Sequence, residues 1–145
     1  MGDLKLLALD SDDVEVISAS TQDAVVRVPD MGFAEGGRRF ALLMNRYAWE
    51  VSGKRGPGQR HRAALSFSQV NRVQTAGINM GASEGVLDLL DIRFEPGEAP
   101  AGAIELRFAG GGTIRLEVEC IEARLEDLGA AWAATMATLL IAAPL

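Results

Sequence analysis

Residues 103–120 read AIELRFAGGGTIRLEVEC, and this stretch decides the fold class. Ile104, Leu106 and Phe108 alternate with Glu105 and Arg107. After Gly110-Gly111-Gly112, Ile114, Leu116, Val118 and Cys120 alternate with Arg115, Glu117 and Glu119. A period of two is that of a strand with one buried face, and glycines between two such runs make a turn. The stretch is therefore a hairpin. Phe108, Leu116 and Val118 are expected inside, Glu105, Arg107 and Glu117 outside, and Cys120 in phase with the core as a small hydrophobe. A loop of only the three glycines would oppose Arg107 to Arg115 and Glu105 to Glu117. Like charges directly opposite destabilise. A shift of two keeps the faces and sets Glu105 against Arg115, so that register or a glycine bulge is expected.

Outward from the hairpin, the same alphabet continues. EPGEAPAG joins it to a strand in which Leu90, Ile92 and Phe94 alternate with Asp91 and Arg93. Residues 63–75 read as a strand with a bulge or bend, because Leu65 and Phe67 share a face while Val70 and Val73 fall out of phase. GKRGPGQR, residues 53–60, is a loop. RRFALLMNRYAWE is a long, largely buried strand entered from the turn Glu35-Gly36-Gly37-Arg38. Toward the N-terminus, AVVRV is a strand ended by Pro29, and Leu4 to Leu9 is another. Between them Asp10-Ser11-Asp12-Asp13 opens a short helix, since these side chains accept orphan amides and favour the positive end of the dipole. Residues 130–145 contain only Thr135 and Thr138 as polar side chains, and Trp132, Met136, Leu139 and Leu140 recur at helical spacing.

The expected architecture is α+β and mostly β. Six to seven antiparallel strands form a small, partly open barrel, pleckstrin-homology-like in outline, with one early helix and a C-terminal helix. The whole of 1–145 is one domain, with 129–145 a helical tail that covers the core and makes a homodimer contact.

Composition narrows the setting. The net charge of −6 suits a soluble protein and argues against a nucleic-acid partner for the whole chain, and the single cysteine, Cys120, fits a reducing compartment. MGDLKLLALDSDD is not a signal peptide, and no apolar run is long enough to span a bilayer. A cytoplasmic protein without a membrane role is expected.

The stretches LKLLALD, DVEVISASTQDAVVRV, RRFALLMNRYAWE and IRFEPGEAPAGAIELRFAGGGTIRLEVECIEARLEDLG resemble a family of small bacterial proteins catalogued as a domain of unknown function. The resemblance spans Leu4 to Gly129 and is most specific in the C-terminal hairpin. It implies a bacterial cytoplasmic protein and brings no catalytic residue, cofactor or metal ligand with it.

The residues offer little catalytic chemistry. A zinc site needs three or four ligands, and His61 with Cys120 does not supply them. His61 is read as an exposed loop residue. A Cys120–His61 nucleophile pair is the weaker reading. Gly53-Lys54 is followed by Arg55 rather than Ser or Thr, and Ala48 stands where a phosphate loop needs its first glycine. Gly110-Gly111-Gly112 turns a hairpin instead of opening a helix. Glu105, Glu117 and Glu119 share a face with Arg107 and Arg115, the pattern of a solvated surface. No catalytic, cofactor or metal site is assigned.

One segment exceeds background. Residues 37–72 hold eight cations against the single acid Glu50, while the other residues hold six cations against nineteen acids. Seven of the eight cations are arginine, whose planar fork matches phosphate and carboxylate. The bland explanation is charge balance within an acidic chain. The functional reading is a non-enzymatic interaction module that contacts an acidic protein or other anion through Arg38, Arg39, Arg55, Arg60, Arg62 and Trp49. These arginines are expected to gather at one end of the sheet. Two alternatives stand beside it: an RNA-binding protein using the same arginines with Tyr47 and Trp49 as stacking platforms, and a small enzyme with its site at the barrel mouth.

Overall fold

The computed structural model of the protein describes residues 4–47 and 60–128. In chain order the elements are β1 (Lys5–Ala8), α1 (Ser11–Ser20), β2 (Val25–Arg27), a 3-10 turn at Val28–Asp30, β3 (Met31–Ala34), β4 (Arg39–Tyr47), β5 (Arg60–Phe67), β6 (Val70–Ala76), β7 (Val86–Pro96), β8 (Gly102–Phe108), β9 (Thr113–Val118) and β10 (Ala123–Asp127). All strand pairs are antiparallel. The sheet runs β1-β10-β5-β4-β2-β7-β8-β9-β6, and β3 pairs with β4 beside it.

Ten strands lie among the described residues, not six or seven. Three events account for the difference. Residues 63–75 are two strands, parted where Gln69 takes a left-handed φ of 60°. Met31–Ala34 pairs with β4 through the turn at 35–38, where Gly37 and Arg38 donate to the Ala34 and Glu35 carbonyls. Ala123–Asp127, between β5 and β1, makes only non-local pairs that no hairpin spacing announces. The expected helix at 129–145 lies outside the described residues.

The sheet is not closed, but it curls. β6 ends the strand order, yet Val70 N donates to Arg38 O at the head of β4, and Glu119 N donates to Gln69 O. Phe40, Leu42, Met44, Leu65, Phe67 and Leu125 therefore share one core with Leu89, Ile104, Leu106, Phe108, Ile114 and Leu116. The helix α1 starts at Asp10, whose side chain accepts from the Asp13 amide, and it buries Val14 and Ile17. It packs against β7 and β1.

The hairpin keeps its expected faces and register. Glu105 opposes Arg115 and Arg107 opposes Thr113. Phe108, Leu116 and Val118 are buried, while Glu105, Arg107 and Glu117 are half-buried. Gly110 and Gly111 carry φ of 89° and 97°, which the turn requires and glycine alone adopts without strain. Two expectations need correction. Cys120 falls beyond the end of β9 and is half-exposed, because the ladder stops at Val118. Leu90 is 43% exposed, because a shift between Leu89 and Asp91 gives the buried place to Leu89.

Candidate functional site

Three neighbouring strands send parallel rows of side chains into the core. On β4 the row is Phe40, Leu42, Met44, Arg46; on β5 it is Phe67, Leu65, Ala63, His61; on β10 it is Ala123, Leu125, Asp127. Each row is apolar until its last member. The register sets Arg46 opposite His61 and Asp127 opposite Ala63, so the three polar residues meet at one end of the core.

Arg46 is fully buried, and its guanidinium forks onto Asp127, with Nε to Oδ1 at 2.8 Å and an NH2 group to Oδ2 at 2.9 Å. His61 Nδ1 lies 3.1 Å from Asp127 Oδ2, and the Leu4 amide donates to the same oxygen at 3.1 Å. Burial alone would push the Asp127 carboxyl up. Hydrogen bonds from Arg46, Leu4 and His61, with the Arg46 charge, outweigh burial and hold it below its ordinary value. His61 is thus a half-buried strand residue and not the exposed loop residue expected from its arginine neighbours.

On the outer face at the same end, Tyr47 opposes Arg60 and Val25 opposes Asp88. The exposed Arg60 guanidinium donates to the main-chain oxygens of Asp23 and Asn45 at 3.3 and 3.2 Å, and its carbon sits 6.0 Å from the Tyr47 ring centroid. Asp88 lies beside Asp23. Burial, then the Asp23 charge and a hydrogen bond with Asp23, raise the Asp88 carboxyl against the opposing pull of Arg60. Its Oδ1 is buried without a hydrogen-bond partner among the described residues.

The arginines singled out from sequence do not gather at one end. Arg38 and Arg39 stand at the head of β4, whereas Arg60 and Arg62 stand opposite its far end. At about 3.3 Å per residue the strand separates them by roughly 25 Å. Arg38 bonds Asn71, Glu119 and Gln69 at 2.6–2.7 Å and clamps the β3–β4 turn to the head of β6. Arg39 is half-buried at the start of β4, and Arg62 is half-buried on the outer face two residues from Arg60. Trp49 and Arg55 lie outside the described residues. Sequence reasoning missed Arg46, His61 and Asp127 as a set. The available signal was a charged residue at the phase of a buried row, Arg46 after Phe40, Leu42 and Met44.

Among the described residues no group of His, Cys, Asp and Glu could hold a metal ion, and no helix is long and apolar enough to cross a membrane. Neither a curated protein nor a solved structure matches the chain. Residues 4–138 match the family described as "Protein of unknown function (DUF2948)", and the chain belongs to that family.

Proposed function

We propose that the protein is a non-enzymatic interaction module that holds an acidic protein segment on its outer face at Arg60 and Arg62. One observation carries this reading. The Arg60 guanidinium is fixed by two main-chain carbonyls and an aromatic ring, and among the described residues no salt bridge joins it to a carboxylate. It is thereby oriented without being neutralised by direct contact, as a receptor for a carboxylate or phosphate requires. A curled open sheet with a polar end also suits the pleckstrin-homology-like outline, a likeness of architecture that brings no function with it. A cytoplasmic setting fits the lone cysteine. The RNA alternative is weakened because Arg60 already covers the Tyr47 ring on which a base would stack.

The test uses a fluorescein-labelled decaglutamate peptide and a labelled uridine decamer. Wild type is expected to bind the peptide with an affinity that falls with salt, and R60E/R62E to lose it while remaining folded by circular dichroism. Preference for the uridine decamer, or capture indifferent to R60E/R62E, overturns the reading.

A specific contact also favours a second reading, the small enzyme. A buried carboxylate on His61 Nδ1 orients an imidazole as a general base would be oriented. Asp127 differs from that arrangement because both its oxygens already receive Arg46.

A further inference from the structure

We propose that the groove between α1 and β7 receives an extended, cationic peptide segment as an added strand. The inference is independent of the Arg60 and Arg62 surface.

The backbone supplies the first argument. β7 pairs with β8 along one edge from Leu89 to Pro96, but β2 covers the other edge only from Val86 to Asp88. The ladder is prolonged by Asp23 N to Leu89 O and Leu89 N to Ala24 O, and there it ends. Beyond that point no strand pairs with this edge among the described residues. Ile92 N donates to Ser18 Oγ of α1 at 2.9 Å, so Ile92 points its main chain away from β8. In an antiparallel ladder residues two apart point alike, so Phe94 does the same. The Phe94 amide and the Ile92 and Phe94 carbonyls thus face the groove without a strand, the arrangement that an extended peptide completes by β-addition.

Shape and charge supply the second argument. The groove encloses about 620 Å³, floored by Val14, Ser18 and Ile92 and flanked by Glu15, Ala19 and Phe94. Through Ser11 and Phe94 it continues into a pocket of about 230 Å³ between Leu9, Pro100 and Ile121. Leu9 is 61% exposed at its rim. Asp10 to Asp23 contains five acids, Asp10, Asp12, Asp13, Glu15 and Asp23, and no Lys or Arg. The cation that reaches the groove, Arg93, lies 3.5 Å from Asp91. An apolar side chain for the pocket, with lysines or arginines toward α1, is the complement of this surface.

The probe is a fluorescein-labelled peptide KVKLKVK. Wild type is expected to raise its anisotropy, with amide shifts in a 15N spectrum confined to α1 and residues 90–96. D12K/E15K alters only exposed positions and should weaken binding at least tenfold in protein that its amide spectrum shows to be folded, with a small drop in melting temperature from the lost acid at the helix start. Methylating alternate peptide nitrogens should abolish binding, because a strand then cannot pair. R60E/R62E should leave it intact, which separates this proposal from the preceding one. Equal binding of EVELEVE, equal binding of the methylated peptide, shifts mapping elsewhere, or no binding at millimolar peptide would each overturn the inference.

Discussion

On the outer face of β7, β8 and β9, charge is settled between neighbours. Arg107 and Arg93 both reach Asp91, Arg115 reaches Glu95 at 2.8 Å, and Glu105 opposes Arg115 across the ladder. Every partner comes from the same three strands and stays in contact with water. At the end of β4, β5 and β10 the opposite holds. Arg46 and Asp127 are 81 residues apart, both are buried, and their fork is completed by His61 and the Leu4 amide. The surface pairs resolve which register a hairpin adopts. The buried set ties together the first strand, the last strand and the middle of the chain. Solvent supports the first kind of pair when it breaks, and nothing supports the second.

The largest effect should come from breaking the buried set. Asp127→Ala takes the buried carboxylate from the Arg46 guanidinium, and removing one partner of a buried pair costs about 3–5 kcal/mol. Urea denaturation should show that loss. The double variant Arg46→Met with Asp127→Leu extends the apolar rows to their ends and should recover most of it, because a buried pair replaced as a whole is often neutral or better. A double variant as unstable as Asp127→Ala would mean that the network itself, and not the buried charge, holds the end of the sheet.

A pH series sharpens the comparison, because two carboxyls at this end are shifted in opposite directions. Asp127 is held below its ordinary value. Its contribution is present above the unfolded value of about 3.9 and disappears as pH falls through the lower folded value. Asp88 is raised. Its contribution is present below about 3.9 and disappears as pH rises through the higher folded value. Stability measured against Asp127→Asn should therefore converge toward the variant on acidification. Measured against Asp88→Asn, wild type should instead fall behind as pH rises toward 7. Parallel curves for wild type and Asp88→Asn would show that folding does not raise the Asp88 carboxyl.

The same contrast explains what was legible in the sequence. Strand alternation, the Asp10 cap and the glycine turn are local patterns, and the charge on Glu105 and Arg115 sufficed to select the register. β10 was invisible because Ala123, Leu125 and Asp127 share a face only once β5 and β1 flank them. His61 was misread for the same reason: its partners come from β4 and β10, whereas its sequence neighbours Arg60 and Arg62 point to the outer face. The split at Gln69 was half legible, since the loss of phase after Phe67 marked a bend without saying that the chain crosses to the far end of the sheet. Among the arginines, composition located the segment but not the separation imposed by the length of β4.

The smallest effect should be at the hairpin pair, and a double-mutant cycle on Glu105 and Arg115 would measure it. An opposed pair of opposite sign contributes about 0.2–1 kcal/mol, and the lower end applies because 39% of the Arg115 side chain is exposed. Arg115 also pairs with Glu95, and Glu105 also opposes Arg93 on β7, so each single variant loses a second neighbour, but only Arg115→Ala loses a direct bond, that to Glu95 at 2.8 Å. The arginine variant should therefore be the less stable of the two, and both differences should shrink as salt rises from 0.05 to 0.5 M, where the Debye length falls below about 5 Å. Arg115→Glu sets like charges across the ladder and should be worse than Arg115→Ala. Adding Glu105→Arg restores opposition and should recover part of that loss. If the swap recovers nothing, the charges do not select the register, and the glycines at 110–112 fix it through the turn alone.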